Sequence, residues 1–272
     1  MPRPCDLCGS QDFRVWDTHN RIDILICNTC GMGRSEVPEN YETAMEERYD
    51  EAYYKSMTYD RRWRFRVGRA RRWLGYLGEL RRPPGNLLDI GCSLGYYLHA
   101  ARQLGWTPFG TDISPHAVEV TRSRGFQAFQ SHHPDDFPDW LPPLDAVTAA
   151  QVVEHLRDPL GYLRALRERM APGGVIYVQL PNFQKLLNQG PAVPYVGPPE
   201  HAQFFTLDTA RRMLEKAGWE VVPHPKLRPH YIGARIWRWI PELLFEYPRE
   251  AIREASTVNG RLSNLHLFAR AN

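Results

Sequence analysis

The chain has 272 residues, 43% of them apolar and 24% charged, with a formal net charge of +3. These values suit one large globular domain or a domain with a small module, and they exclude a disordered chain or a coiled coil. No apolar run approaches the roughly 18 residues of a membrane span, and the start lacks the apolar stretch of a secretory signal, so a cytoplasmic protein with no membrane partner is expected.

Residues 1–35 read as a zinc-ribbon module. Four of the five cysteines stand in two pairs, Cys5-Asp-Leu-Cys8 and Cys27-Asn-Thr-Cys30, each followed by a glycine, Gly9 and Gly31. A two-residue gap lets one tight turn aim two thiolates at a single ion, and glycine permits the left-handed backbone such turns use. Eighteen residues separate the pairs, within zinc-ribbon spacing. The stretch between them alternates apolar and polar residues (Phe13, Val15; Ile22, Ile24, Ile26), as hairpin strands do. The other readings are two disulfides or a redox dithiol. Disulfides fit poorly without a secretory signal, and a redox site needs one pair only. With all four positions filled by thiolates, the zinc is expected to be structural.

Residues 36–82 form an acidic linker followed by a basic helix. Over 36–51, seven carboxylates face one arginine, Arg48; over 60–82, nine arginines face Asp60 and Glu79. Trp63, Val67, Ala70, Leu74 and Leu77 recur at helical spacing and make one apolar stripe, and Pro83-Pro84-Gly85 stops the helix. The arginines read either as a phosphate-binding surface or as a solvated helix face, the commoner use of a charge run. Tyr49, Tyr53 and Tyr54 read either as a lid over a ligand or as packing residues.

Residues 83–272 carry the chemistry. Asn86-Leu-Leu-Asp-Ile-Gly-Cys-Ser-Leu-Gly-Tyr-Tyr-Leu98 runs from a short apolar strand through a turn with Gly91 and Gly95 into a helix that Gly105 ends. Glycines here let the backbone approach a ligand at a helix amino terminus. A second strand, Thr107-Pro-Phe-Gly-Thr111, leads to Asp112. That acid lies 21 residues after Gly91, where a nucleotide-binding unit places the carboxylate for the ribose hydroxyls. Alternating strands and helices imply a parallel α/β sheet covered on both faces.

The stretch Asp89-Ile-Gly91-Cys-Ser93-Leu-Gly95 resembles motif I of class I S-adenosylmethionine (SAM)-dependent methyltransferases, with Ser93 in place of the middle glycine. Gly110-Thr-Asp112-Ile-Ser resembles their second motif. The resemblance continues through Asp135-Asp136-Phe137, Leu144–Leu156, Ala171–Asn182, Ala217–Val222 and Leu265–Ala269. It implies a Rossmann-like seven-stranded α/β sheet whose last strand is antiparallel. It further implies a SAM site of Asp89, Gly91, Cys92, Ser93, Gly95, Asp112, Ile113, Asp136 and Gln151, with Asp136 near the adenine.

The Glu154-His155 pair lies in the loop after the fourth strand, where this family often carries it. Glu200-His201, in Gly197-Pro-Pro-Glu-His-Ala-Gln-Phe-Phe205, resembles the Glu-His pair of sugar C-methyltransferases that also bear a four-cysteine zinc segment. Those enzymes have a tyrosine and a further histidine where Pro198 and Pro199 stand here. The resemblance makes His201 the candidate general base, with His155 and Glu200 as further catalytic candidates. Residues 226–264 form an aromatic-rich insertion, expected either to roof the substrate or to make a dimer surface.

The expected function is methyl transfer to a small molecule, of the sugar-nucleotide or glycan-precursor class. The competing readings are an RNA methyltransferase that uses the zinc ribbon and arginine helix, and a non-catalytic SAM-binding interaction protein.

Overall fold

The computed structural model describes residues 3–56, 62–190, 195–223 and 264–271. The amino-terminal module is a small antiparallel sheet of β1 (Phe13–His19), β2 (Ile22–Cys27) and β3 (Gly33–Ser35). Asn20 and Arg21 both take positive φ, 51° and 64°, so β1 and β2 join through the turn whose twist matches a hairpin. The predicted alternation holds only in part: Ile24 and Ile26 are fully buried against Phe183 and Phe204, but Leu25 between them is buried too and Val15 of β1 is exposed.

Three helices follow, α1 (Tyr41–Arg48), α2 (Glu51–Ser56) and α3 (Trp63–Leu80). The α3 stripe is the expected one: Val67, Ala70, Leu74 and Leu77 are buried, with Trp73 widening it. It packs against Tyr97, Ala100 and Ala101 of the next helix and against Val175 and Tyr177. Arg62, Arg64, Arg71 and Arg72 are exposed. Arg66 and Arg72 lie over the rings of Tyr96 and Trp73.

The remaining elements are β4 (Asn86–Ile90), α4 (Tyr96–Gln103), β5 (Thr107–Asp112), α5 (Pro115–Ser123), β6 (Gln127–Gln130), β7 (Leu144–Ala150), α6 (Pro159–Glu168), β8 (Met170–Pro181), α7 (Phe183–Gln189), β9 (Gln203–Phe204), α8 (Leu207–Lys216), β10 (Trp219–Val221) and β11 (Asn264–Ala271). Seven strands form one sheet in the order β10-β11-β8-β7-β4-β5-β6. β4 through β8 are parallel, and β11 runs antiparallel between β8 and β10. This is the expected seven-stranded Rossmann-like sheet. Strand order reverses at β4, flanked by β5 and β7, so their carboxyl ends open a crevice there.

Two features depart from the sequence expectation. β8 starts at Met170, because Leu144 pairs with Met170 across an irregularity that absorbs the Pro-Gly-Gly turn. β3, the last strand of the module, also pairs with β9 from much later in the chain, at Gly33↔Phe204 and Arg34↔Gln203, a pairing the sequence reading does not anticipate. The insertion expected at 226–264 lies, but for Asn264, outside the described residues. Among the described residues no helix is long and apolar enough to cross a membrane.

Candidate cofactor and acceptor site

Ile90 ends β4 at the crevice, and Gly91, Ser93 and Gly95 then take φ of 66°, 50° and 86°. A Cβ on Gly91 would lie 2.7 Å from Val152 Cγ2, so only glycine fits between the strand end and the loop after β7. Ser93 holds its left-handed conformation without that freedom. Its N–H donates to Asp112 Oδ2 at 2.8 Å, and the Ser114 N–H donates to Asp112 Oδ1 at 3.0 Å. Burial raises the Asp112 carboxyl, and these backbone donors pull it back.

Asp89 lies one layer below. It is buried, accepts the Thr148 hydroxyl at 2.5 Å, and burial holds its carboxyl well above the usual range. Cys92 is buried against Gly110 and Leu98, as a packing residue. Two buried polar atoms at the crevice find no partner among the described residues, Ser93 Oγ and Gln151 Nε2. A glycine cradle with orphaned polar atoms beside it fits a polar ligand such as SAM. Ile113 packs beside Tyr41 and Met45, and Asp136 is exposed on the turn after β6.

Gln151 also borders a second space, a cavity of about 470 Å³ lined by Asn182, Lys185, Tyr195, His201, Gln203 and neighbours. His201 and His155 meet edge to face at its inner side, ring centroids 4.9 Å apart. The His155 Nδ1–H donates to the Glu200 carbonyl at 2.8 Å. The Val196 carbonyl accepts from the His201 ring. Burial lowers His155 and takes His201 down to about 3, so both rings are neutral near pH 7. The Glu200 carboxylate itself is ion-paired with Arg48. The site therefore uses the Glu200 backbone, and its acid faces α1.

Three further residues complete the surroundings, of which Tyr41 carries no clear sequence signal. Tyr41 is buried, and its hydroxyl lies 2.8 Å from the His155 carbonyl oxygen and 2.9 Å from that of Glu200, tying the two histidine loops together. Tyr49 reaches His155 Nδ1 at 3.4 Å, and its carbonyl accepts the Ser114 hydroxyl, so it packs between the His155 loop and the start of α5. Glu154 is 1% exposed, and neither carboxylate oxygen has a hydrogen-bond partner among the described residues. Burial pushes its carboxyl up to about 8.

The four module cysteines converge as expected. Cys5–Cys30 and Cys8–Cys27 sulfurs are each 3.5 Å apart, and all four lie within 4.8 Å of one another. A tetrahedral zinc with about 2.3 Å bonds needs sulfurs about 3.8 Å apart, so the donor set fits. Both turns are built alike: Gly9 N–H bonds the Cys5 carbonyl, Gly31 N–H that of Cys27, and each glycine has positive φ. Burial raises the Cys27 thiol, but N–H groups of Cys30 and Thr29 and the Cys8 thiol outweigh it and bring it to about 7. Lys216, at the end of α8, donates to the carbonyls of Asp6 and Leu7 and seats the first turn on the large domain.

The module also builds a wall of the cavity. Ser35 N–H donates to the Ala202 carbonyl, and the Ser35 hydroxyl donates to the His201 carbonyl, both at 2.9 Å. Asn20 donates to Pro198, Tyr195 donates to Asp17, and Trp16 packs on Phe183. The His201 loop is thus an added strand of the module sheet.

Comparison with known proteins matches this architecture. A family model described as a methyltransferase domain matches residues 61–224, more than half of the chain. The chain belongs to this family. Ubiquinone biosynthesis O-methyltransferase of Cereibacter sphaeroides is 30% identical over 155 residues, covering 50% of this chain and 60% of that protein. The Xanthomonas campestris enzyme of that name is 30% identical over 116 residues, covering 40% and 46%. The chain therefore spans about half the length of these relatives. Among solved structures, the plantazolicin methyltransferase BpumL in complex with SAH superposes with a TM-score of 0.55 at 17% identity, covering 86% of this chain and 95% of that one. A chain of the complex between the Haloferax volcanii Trm112 methyltransferase activator and a methyltransferase gives 0.54 at 18%, covering 87% and 99%. These two likenesses are of fold.

Proposed function

We propose that this methyltransferase alkylates a hydroxyl oxygen of a small molecule, of the sugar-nucleotide or glycan-precursor class, bound in the cavity between Gln151 and His201. One observation carries the reading. Gln151, next to the Val152 that abuts Gly91, and His201 border a single cavity, large enough for a small polar acceptor. The amides of Asn182 and Gln203 suit sugar hydroxyls, and Lys185 suits a phosphate. Similarity to enzymes named as O-methyltransferases supports oxygen as the nucleophile.

When bound, SAM supplies a methyl group already made electrophilic by its sulfonium. Asp112 takes the ribose hydroxyls, Asp136 the adenine side, and the backbone of Gly91, Cys92, Ser93 and Gly95 allows close approach, with Asp89, Ile113 and Gln151 shaping the floor and rim. Tyr49 and the cavity walls exclude water. His201 is the base that accepts the hydroxyl proton as the oxygen attacks, and His155 orients the pair. Cys5, Cys8, Cys27 and Cys30 hold a structural zinc that fixes the module and, through β3, the His201 loop.

The test is release of S-adenosylhomocysteine against a panel of sugar nucleotides and phenols. The proposal expects product with a hydroxyl-bearing member and a large loss in His201→Ala. Turnover that is unchanged in His201→Ala overturns this placement of the acceptor.

A further inference from the structure

Glu154, His155 and His201 present one donor atom each to a common point. The three atoms lie within 4.8 Å of one another, and Glu154 Oε1 is 4.0 Å from His155 Nε2. That gap is too long for a hydrogen bond. Both histidines have one ring nitrogen occupied by a backbone carbonyl, of Glu200 and Val196. His155 therefore turns the lone pair of Nε2, not an N–H, toward the carboxylate. Glu154 is almost wholly buried with both oxygens unpartnered. The nearby cation Arg48 is spent on Glu200. A buried carboxyl without a partner beside two imidazole rings is an arrangement that a bound cation would stabilise, because the cation would hold the carboxyl ionised.

We infer that Glu154, His155 and His201 bind a divalent first-row metal ion, and that this ion holds the acceptor's hydroxyl oxygen. A tetrahedral cation with bonds of about 2.0–2.2 Å needs donors about 3.3–3.6 Å apart, so the 4.0 Å pair closes by about half an ångström and the widest pair by roughly 1.2–1.5 Å on binding. The carbonyl bonds on the far ring nitrogens are the support that ligating histidines commonly have. Three protein ligands leave coordination positions open, and His201 borders the cavity that faces Gln151. The site rests on the proposed acceptor cavity and changes the role of His201 from base to ligand. The ion lowers the pKa of the hydroxyl, which gives its proton to water. The oxygen then forms a bond to the methyl carbon as the carbon–sulfur bond breaks, and the electron pair returns to sulfur.

The experiment titrates zinc-replete protein with Mn2+ and follows free Mn2+ by electron paramagnetic resonance. One site per chain with a dissociation constant below about 1 mM is expected, weakened at least about tenfold in both Glu154→Gln and His201→Gln. Zinc content and the melting temperature identify any variant that has lost its fold. Absence of Mn2+ binding to wild type, or equal binding by wild type and both folded variants, overturns the inference. If methyl transfer persists without such a site, the inference fails and the acceptor assignment stands. If Mn2+ binds at these residues but no hydroxyl acceptor is methylated, the acceptor assignment fails.

Discussion

Gly33→Ala probes the join between the module and the acceptor wall. A Cβ at Gly33 would lie 2.8 Å from Phe204 Cβ and 2.9 Å from Phe183 Cε1. Both neighbours are buried, so β3 and β9 must separate by roughly 0.5–1 Å to restore ordinary contact, with an overpacking cost of about 1–3 kcal/mol. For a domain of this size that lowers the melting temperature by about 2–10 °C. His201 follows β9, since its carbonyl takes the Ser35 hydroxyl from the same β3 strand. A shift near 1 Å at a reacting group costs on the order of 100-fold in rate. The cofactor turn lies across the crevice, on β4 and β5, and is untouched. Calorimetric SAM binding should therefore stay near wild type while single-turnover methyl transfer falls about 10- to 100-fold. Normal transfer with the expected drop in melting temperature would refute the wall. A parallel loss of SAM affinity would show a global effect instead.

If Asp112 holds the ribose as proposed, Asp112→Ala removes two charged hydrogen bonds, together about 3 kcal/mol or more, so SAM affinity should fall at least about 100-fold by calorimetry. Unchanged affinity would put the cofactor elsewhere. Cys27→Ser should cost the protein its zinc by elemental analysis and expose the Ile24 and Ile26 amides to hydrogen exchange; retained zinc and protection would dismiss the structural role. His266 stacks on Trp73 and bonds Tyr177, and burial takes it down to about 3 from 6.5. A lowered histidine pKa makes the unfolded chain bind protons first, so this group's contribution is intact above pH 6.5 and is lost as pH falls toward 3. Allowing for its partial exposure, wild type should lose about 1 kcal/mol more than His266→Gln between pH 6.5 and about 5, read from paired urea melts. Equal acid limbs would contradict that assignment.

Much of the fold is legible in the sequence because local signals agree with it. The strand–glycine–helix run at Asn86–Leu98, the acid at Asp112 and the α3 stripe each report a period or a spacing that folding preserves. The cysteine pairs are legible because zinc geometry dictates their gaps. What sequence does not reveal is long-range. Tyr41 shares a short, charge-rich helix with Ala44 and Met45 and reads there as a packing residue, so nothing local marks it as the residue that joins His155 to Glu200. β9 is two residues long, too short for a periodic signal, yet it welds the module to the acceptor loop. Glu154 reads as a loop acid until burial is known. Glu200 keeps its place in the site, but through its carbonyl, because Arg48 arrives from a distant helix to claim the carboxylate.

The most direct measurement of the central claim uses SAM with a labelled methyl group. Purified protein is incubated with an extract, and the products are separated into small molecules, RNA and protein. The account predicts label in the small-molecule fraction, lost in Asp112→Ala and strongly reduced in Gly33→Ala. Label confined to nuclease-sensitive polymer, or no label from protein that demonstrably binds SAM, would contradict it.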